Sequence, residues 1–165
     1  MRVLVQRVTR ASVRVDGRVV SSIGPGFLLL VGAGRGDDGS AVERLADKVT
    51  GLRIFRDEAG KTNLDIAAVG GEALVVSQFT LYADTRKGRR PSFVYAADPA
   101  EAAELVEAFA CALEARGLRV GRGVFGAEMQ IDLCNDGPFT LWLDAVPDPP
   151  AAPGPGADGP SHALR

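Results

Sequence analysis

At 165 residues, with 46% hydrophobic and 24% charged residues, the chain has the length and composition of one soluble domain with a sizeable core. The net charge of −2 argues against broad, sequence-independent nucleic-acid binding, which needs a basic surface, but not against capture of a short RNA end. No apolar run approaches membrane-spanning length, and the opening MRVLVQRVTR has neither an apolar signal core nor a small-residue cleavage site.

The two cysteines, Cys111 and Cys134, are far apart and form no CxxC, so neither a disulfide framework nor a zinc site is indicated. A reducing, cytoplasmic setting is expected. In chain order, the valine-rich stretch 3–15, Asp16-Gly17 and the stretch 18–23 predict a first hairpin. Gly24-Pro25-Gly26 breaks it. The continuous apolar run 27–31 predicts a strand buried on both faces. Ser40-Ala-Val-Glu43 reads as a capping box opening a helix over 40–51, with the serine as cap. Val42, Leu45, Ala46, Val49 and Leu52 form its apolar face. A short strand at 53–56 and a turn at 57–61 follow. Glu72 to Leu81 reads as one strong strand.

Asp98-Pro99-Ala100-Glu101 predicts a second helix start, with Asp98 as cap and Pro99 in the first turn. Gly117 supplies its end. Two strands are predicted over 127–134 and 139–146, with Asn135-Asp136-Gly137-Pro138 between them. Asp-Gly is a good hairpin turn, yet a proline at the mouth of a strand lacks the N–H a ladder needs. Residues 147–165 are rich in Pro, Gly and Ala and read as a disordered tail behind a single domain of residues 1–146. The expected fold is α+β: a mostly antiparallel, barrel-like sheet with two main helices.

Several chemistries are missing from the sequence. The only histidine, His162, lies in the tail, so a Ser-His-Asp or Cys-His triad has no base within the domain. No His/Cys/carboxylate group has metal-ligand spacing. The stretch GAGRGDDG at 32–39 matches neither a dinucleotide fingerprint nor a P-loop; it reads as a flexible strand-to-helix connection. Any catalysis must draw on backbone groups, hydroxyls or the substrate. Basic residues cluster at Arg86, Lys87, Arg89 and Arg90 and again at Arg116, Arg119 and Arg122. On composition, a solvated loop and a helix end explain both.

Three stretches combine more specifically: Ser77-Gln78-Phe79-Thr80-Leu81-Tyr82; Lys87-Gly88-Arg89-Arg90-Pro91-Ser92-Phe93; and Phe125-Gly126-Ala127-Glu128-Met129 running on to Asn135-Asp136-Gly137-Pro138-Phe139-Thr140. Their order and spacing resemble the D-aminoacyl-tRNA deacylase family. The opening MRVLVQRVTRASV and the segment TNLDI are similar to it too. The resemblance covers residues 1–146 and rests on SQFTL paired with NDGP-hydrophobic-Thr.

The resemblance implies a homodimeric hydrolase that cleaves the ester joining a D-amino acid to the 3′ end of tRNA, and glycine mischarged on alanine tRNA. Its implied partners are the aminoacylated tRNA end and a second copy of the chain, with no DNA, no membrane, no metal and no organic cofactor. It implies a cis Gly137–Pro138 bond inserted into the partner subunit's site. There the carbonyls of Gly137 and Pro138 hold the substrate's α-amino group, so that an L side chain collides and a D side chain points to solvent. Ser77, Gln78, Phe79 and Thr80 form the implied catalytic stretch, with amides of Phe79 and Thr80 facing the ester carbonyl. Phe125 and Met129 line the adenosine pocket, Arg7 holds the Gly-Pro loop outward, and Lys87, Arg89 and Arg90 meet acceptor-end phosphates. The chain departs from the family at Phe139, where valine is common. A relaxed-chirality relative carries an aromatic there but lacks SQFTL, which favours the strict D-selective type. The alternative from another class is a non-catalytic module that binds tRNA ends.

Overall fold

The computed structural model describes residues 1–86 and 88–145. Strand β1 (Arg2–Val15) turns at Asp16-Gly17 into β2 (Arg18–Ile23), as the sequence predicts. Strand β3 (Gly26–Gly32) then pairs antiparallel with the first half of β1. Helix α1 (Gly39–Thr50) leads to a small hairpin of β4 (Phe55–Arg56) and β5 (Thr62–Leu64) around the predicted 57–61 turn. Strand β6 (Glu72–Ser77) returns parallel to β3. Helix α2 (Pro99–Ala115) crosses over to β7 (Arg119–Arg122), parallel to β6, a strand not expected from the sequence. The sheet is therefore mixed: antiparallel around β1, parallel from β3 through β6 to β7.

Buried side chains alternate along β3 and β6. Phe27, Leu29, Val31, Ala73 and Val75 face the helices and meet Leu45, Val49, Phe109 and Leu113. Leu28, Leu74 and Val76 face the opposite way and meet Val8, Val13 and Ile23. Burial on both faces accounts for the unbroken apolar run at 27–31. The second face is enclosed because the sheet nearly closes into a barrel. Gly121 of β7 packs closely on β2: a Cβ there would lie 2.4 Å from Ser21 Oγ and would have to displace that hydroxyl.

Four expectations need correction. Helix α1 is capped by Asp38, not Ser40. The Asp38 carboxylate accepts from the amides of Ser40 and Ala41, and the Ser40 hydroxyl itself donates to it. Both residues are good caps, and the one that is extended before the first turn takes the role. The strand predicted over 72–81 ends at Ser77; Phe79–Tyr82 form a 3-10 helix. The two strands expected over 127–134 and 139–146 are one, β8 (Gln130–Asp144), which runs antiparallel along the outer edge of β1. No hairpin turn exists at Asp136-Gly137. Finally, the 32–39 connection, expected to be flexible, is tied down. The Asp37 carboxylate accepts from the Gly34 amide at 2.6 Å and pairs with the Met1 ammonium.

Residues of the second basic cluster are neutralised within the fold. Arg116 bridges Glu43 and Asp47 of α1 at 2.7 and 2.6 Å, Arg119 pairs with Glu72, and Arg122 pairs with Glu107 and Glu114. These contacts raise the pKa of Arg116 and Arg122. They fasten helices to each other and to the sheet.

Candidate active site

Between the end of β6, the start of α2 and the 123–126 loop lies a cavity of about 400 Å³, lined by Ser77, Gln78, Phe79, Phe93, Asp98 and Phe125 among others. A smaller one of about 260 Å³ adjoins it, sharing Ser77, Gln78 and Phe79 and adding Met129. The sequence change that ends β6 builds the wall between them. After Ser77 the chain leaves the ladder: the Gln78 amide donates to the Val31 carbonyl at 2.7 Å, and a 3-10 turn begins. Its first helical bond runs from the Leu81 amide to the Gln78 carbonyl. The amides of Phe79 and Thr80 therefore precede the bonded turn and have no partner within it. The Gln78 side chain at the N-cap position makes no capping bond; it donates instead to the Thr80 hydroxyl. The Thr80 hydroxyl is exposed, and Thr80 does not line either cavity.

Aromatic faces form the other walls. Phe79, 55% exposed, meets Phe93 edge to face at 4.8 Å between ring centres. Phe125 also stands exposed on the rim. Met129 is partly a core residue: it packs beside Val8 and Leu74, and its sulfur accepts from the Val124 amide at 3.3 Å, holding the 124–129 loop. Asp98 occupies the cap position of α2, but its side chain makes no capping bond and lines the cavity. Sequence reasoning assigned Asp98 to the helix and did not foresee Phe93 as a lining residue.

Asn135-Asp136-Gly137-Pro138 takes a different form from any turn. Gln6 pairs with Thr140 and Val8 with Asn135, so Arg7 alone faces residues 136–139 of β8. The four residues are thrown outward as a large bulge. The Gly137–Pro138 bond is cis, and both residues are exposed. Asn135 closes the bulge: its side chain accepts from the Phe139 amide at 2.7 Å and donates to the Phe139 carbonyl at 3.2 Å.

Arg7 fixes the bulge from beneath. Among the described residues it is the only buried polar or charged side chain, at 2% exposure. Its Nε donates to the Asp136 carbonyl at 3.0 Å and lies 3.1 Å from the Asp136 carboxylate; Nη1 donates to the Ile54 carbonyl. The guanidinium also lies over the Phe139 ring at 4.9 Å, giving the aromatic at this position a packing role. A buried charge is tolerated because its donors are used.

The two halves of the expected site do not meet within one chain. Arg7 registers with Phe27 and Ala73, four residues before Ser77 on β6. That places Ser77 about 13 Å along the strands and about two strand spacings, ~10 Å, across from Arg7. Neither Gly137 nor Pro138 lines either cavity. Arg89 and Arg90 stand exposed on the loop closed by the Asp84–Ser92 backbone pair; Lys87 lies outside the described residues. No group of three or more His, Cys, Asp or Glu side chains able to hold a metal occurs among the described residues.

A near-barrel mixed sheet bearing an aromatic-walled cavity, with the start of a 3-10 turn at Phe79 in one wall, has the shape of a binding fold for a flat ligand with a polar end. The model of the D-Tyr-tRNA(Tyr) deacylase family matches residues 4–144. A D-aminoacyl-tRNA deacylase of Thermomicrobium roseum is 64% identical over 146 residues, covering 88% of this chain and 95% of that relative. One of Roseiflexus castenholzii is 58% identical over 88% of this chain and 93% of its own. A solved structure of a c-Myc DNA unwinding element binding protein superposes with a TM-score of 0.82 at 38% identity, covering 87% of this chain and 98% of that one. A second, described as a probable eukaryotic D-amino acid tRNA deacylase, shares the fold at TM-score 0.74 and 19% identity over 87% and 98%. The chain belongs to the D-Tyr-tRNA(Tyr) deacylase family.

Proposed function

We propose that this chain hydrolyses the ester of D-aminoacyl-tRNA, releasing free D-amino acid and tRNA, and that it does so with backbone donors rather than a side-chain nucleophile. The family match supports the activity. The unbonded amides of Phe79 and Thr80, beside the aromatic cavity, carry the mechanistic reading. The adenine of the terminal adenosine stacks among Phe79, Phe93 and Phe125. The ester carbonyl accepts from the two amides, which stabilise the oxyanion once water adds; such donors contribute about 3–4 kcal/mol each. Water attacks with help from the adenosine 2′-OH, and the 3′-oxygen leaves. A threonine hydroxyl with no adjacent base is a poor nucleophile at neutral pH, and the Thr80 hydroxyl accepts a hydrogen bond from Gln78.

Chiral selection belongs to Gly137 and Pro138 of a second copy. In the single chain this motif projects from an edge strand, clamped by Arg7 and Asn135 and remote from Ser77. Inserted into the partner's cavity, its carbonyls accept from the substrate ammonium and its backbone excludes an L side chain. Glycine has no side chain to exclude, so glycyl-tRNA made on alanine tRNA is also a substrate. Arg89 and Arg90 face acceptor-end phosphates.

Incubation with D-Tyr-tRNA and L-Tyr-tRNA tests the reading through ester loss over the uncatalysed rate. Rapid loss of the D-ester alone is expected. Tight binding of both without turnover would leave a tRNA-end-binding module instead.

A further inference from the structure

A third concavity, about 610 Å³, lies behind the wall formed by residues 92–97. It is lined by Arg2, Arg35, Arg86, Tyr82, Tyr95 and Asp84, together with Ala83 and Thr85. Three guanidiniums face one lining carboxylate, on a chain whose net charge is −2. Asp84 is bound to Arg86 at 2.7 Å, and this contact draws its pKa down to about 2. Arg2 is held between the Tyr82 and Trp142 rings at 4.3 and 5.5 Å while its Nε reaches Asp144. Arg35 forms no ion pair among the described residues; its Nε makes only a 3.4 Å bond to the Ala96 carbonyl. Tyr95 is 52% exposed, its hydroxyl touched by Arg86 at 3.3 Å.

The concavity and the candidate active site share Arg35. The intervening segment presents Phe93 to one side and Tyr95 to the other. It is pinned by the Arg35 amide donating to the Tyr95 carbonyl and the Ala97 amide donating to the Ala33 carbonyl, both at 3.0 Å. Cations beside the exposed Tyr95 ring, continuous with a pocket for a terminal nucleoside, fit a single-stranded polynucleotide passing over the partition. We propose that this concavity is the subsite for the nucleotide preceding the terminal adenosine: the intervening phosphate sits on Arg35 and Arg86, and the penultimate base stacks on Tyr95. The proposal rests on the deacylase reading and adds a sequence-proximal RNA contact to it.

The test compares two minimal D-tyrosyl esters, one of adenosine and one of cytidylyl-adenosine, with D-Tyr-tRNA. The unaltered protein is expected to cleave the dinucleotide ester with a KM about tenfold lower than the adenosine ester, at similar kcat. Arg86→Gln and Tyr95→Ala should erase that advantage and leave the adenosine ester unaffected, whereas Tyr95→Phe, which keeps the stacking face, should retain most of it. On D-Tyr-tRNA, Arg86→Gln should flatten the dependence of log(kcat/KM) on log salt by about 0.7, the loss of one phosphate contact to a single strand. Equal KM values for the two esters in the unaltered protein, or equal losses on both esters in the variants, would overturn the subsite alone. A protein inert toward every D-ester would overturn the deacylase reading and the subsite with it.

Discussion

At the scale of single residues, the proposed mechanism separates a hydroxyl from an amide. Thr80→Ala removes the hydroxyl that accepts from Gln78 but keeps the N–H assigned to the oxyanion. It should cost less than about tenfold in kcat, whereas replacing the tRNA's terminal adenosine by its 2′-deoxy form should cost about a hundredfold or more. A dead alanine variant with normal cleavage of the deoxy substrate would make Thr80 the nucleophile. Gly137 tests the other half. Its φ is +137°, and a Cβ there would lie 3.0 Å from Arg7 Nη2 and 3.1 Å from the Phe139 nitrogen. Gly137→Ala therefore shifts the bulge against its clamp. D-ester cleavage should fall by about a hundredfold while the melting temperature drops by a few degrees at most, since Gly137 and Pro138 are exposed and outside the core. Unchanged deacylation and unchanged D/L discrimination would relieve Gly137 of its assigned role.

At the scale of elements, what the sequence revealed and what it hid have a common cause. The β1–β2 hairpin, β3 and both helices were legible because the decisive signals are local: Asp16-Gly17, the apolar run, the 3.6-residue spacing. Asp136-Gly137-Pro138 carries the same local signal as a hairpin turn, yet β8 continues through it. Only long-range pairing with β1, in register at Gln6 and again at Val8, decides between reversal and bulge. Ser77, Gln78 and Phe79 reach the cavity together on one stretch that the resemblance singled out, whereas Arg35 and Asp98 come to it from separate segments outside the three motif stretches. The cap of α1 offers a measurement at this scale. The Asp38 carboxyl is held below its ordinary pKa, chiefly by the Ser40 hydroxyl and then by the Ala41 amide. A depressed carboxyl stabilises the fold above its unfolded pKa, and the contribution fades as pH falls through the folded value. Asp38→Ala should thus lower the melting temperature by several degrees near neutral pH, and the gap to the parent should narrow in acid, below the ordinary aspartate pKa. Ser40→Ala, at the position the sequence favoured, should lower it less. A larger loss for Ser40→Ala would return the cap to the serine.

At the scale of the whole molecule, the proposed function, which divides the site between Ser77–Thr80 and Gly137-Pro138, calls for a second copy. Strand β8 pairs only with β1 among the described residues, leaving its outer edge open along 15 residues. Trp142 and Leu133 are exposed on this strand. Long open edges invite pairing or cover. The bulge that projects from this edge sits far from the cavity of its own chain, so a symmetric dimer would carry two composite sites, each joining one subunit's Ser77–Thr80 to the other's Gly137-Pro138. Complementation follows from that arrangement. Gly137→Ala spoils the inserted motif and leaves the cavity intact. Phe79→Pro removes one oxyanion donor, because proline has no N–H, and leaves the bulge intact. Each variant alone should keep about a hundredth of the parent's activity or less. In a fully exchanged equimolar mixture half the dimers are mixed, and each mixed dimer holds one site with both components sound. Activity should therefore return to about a quarter of the parent's per subunit. If each chain instead completed its own pocket, every site in the mixed dimer would carry one defect, and no activity would return. Subunit exchange is verified separately by mass-tagging one variant, so absence of recovery in exchanged dimers would count directly against the cross-subunit site.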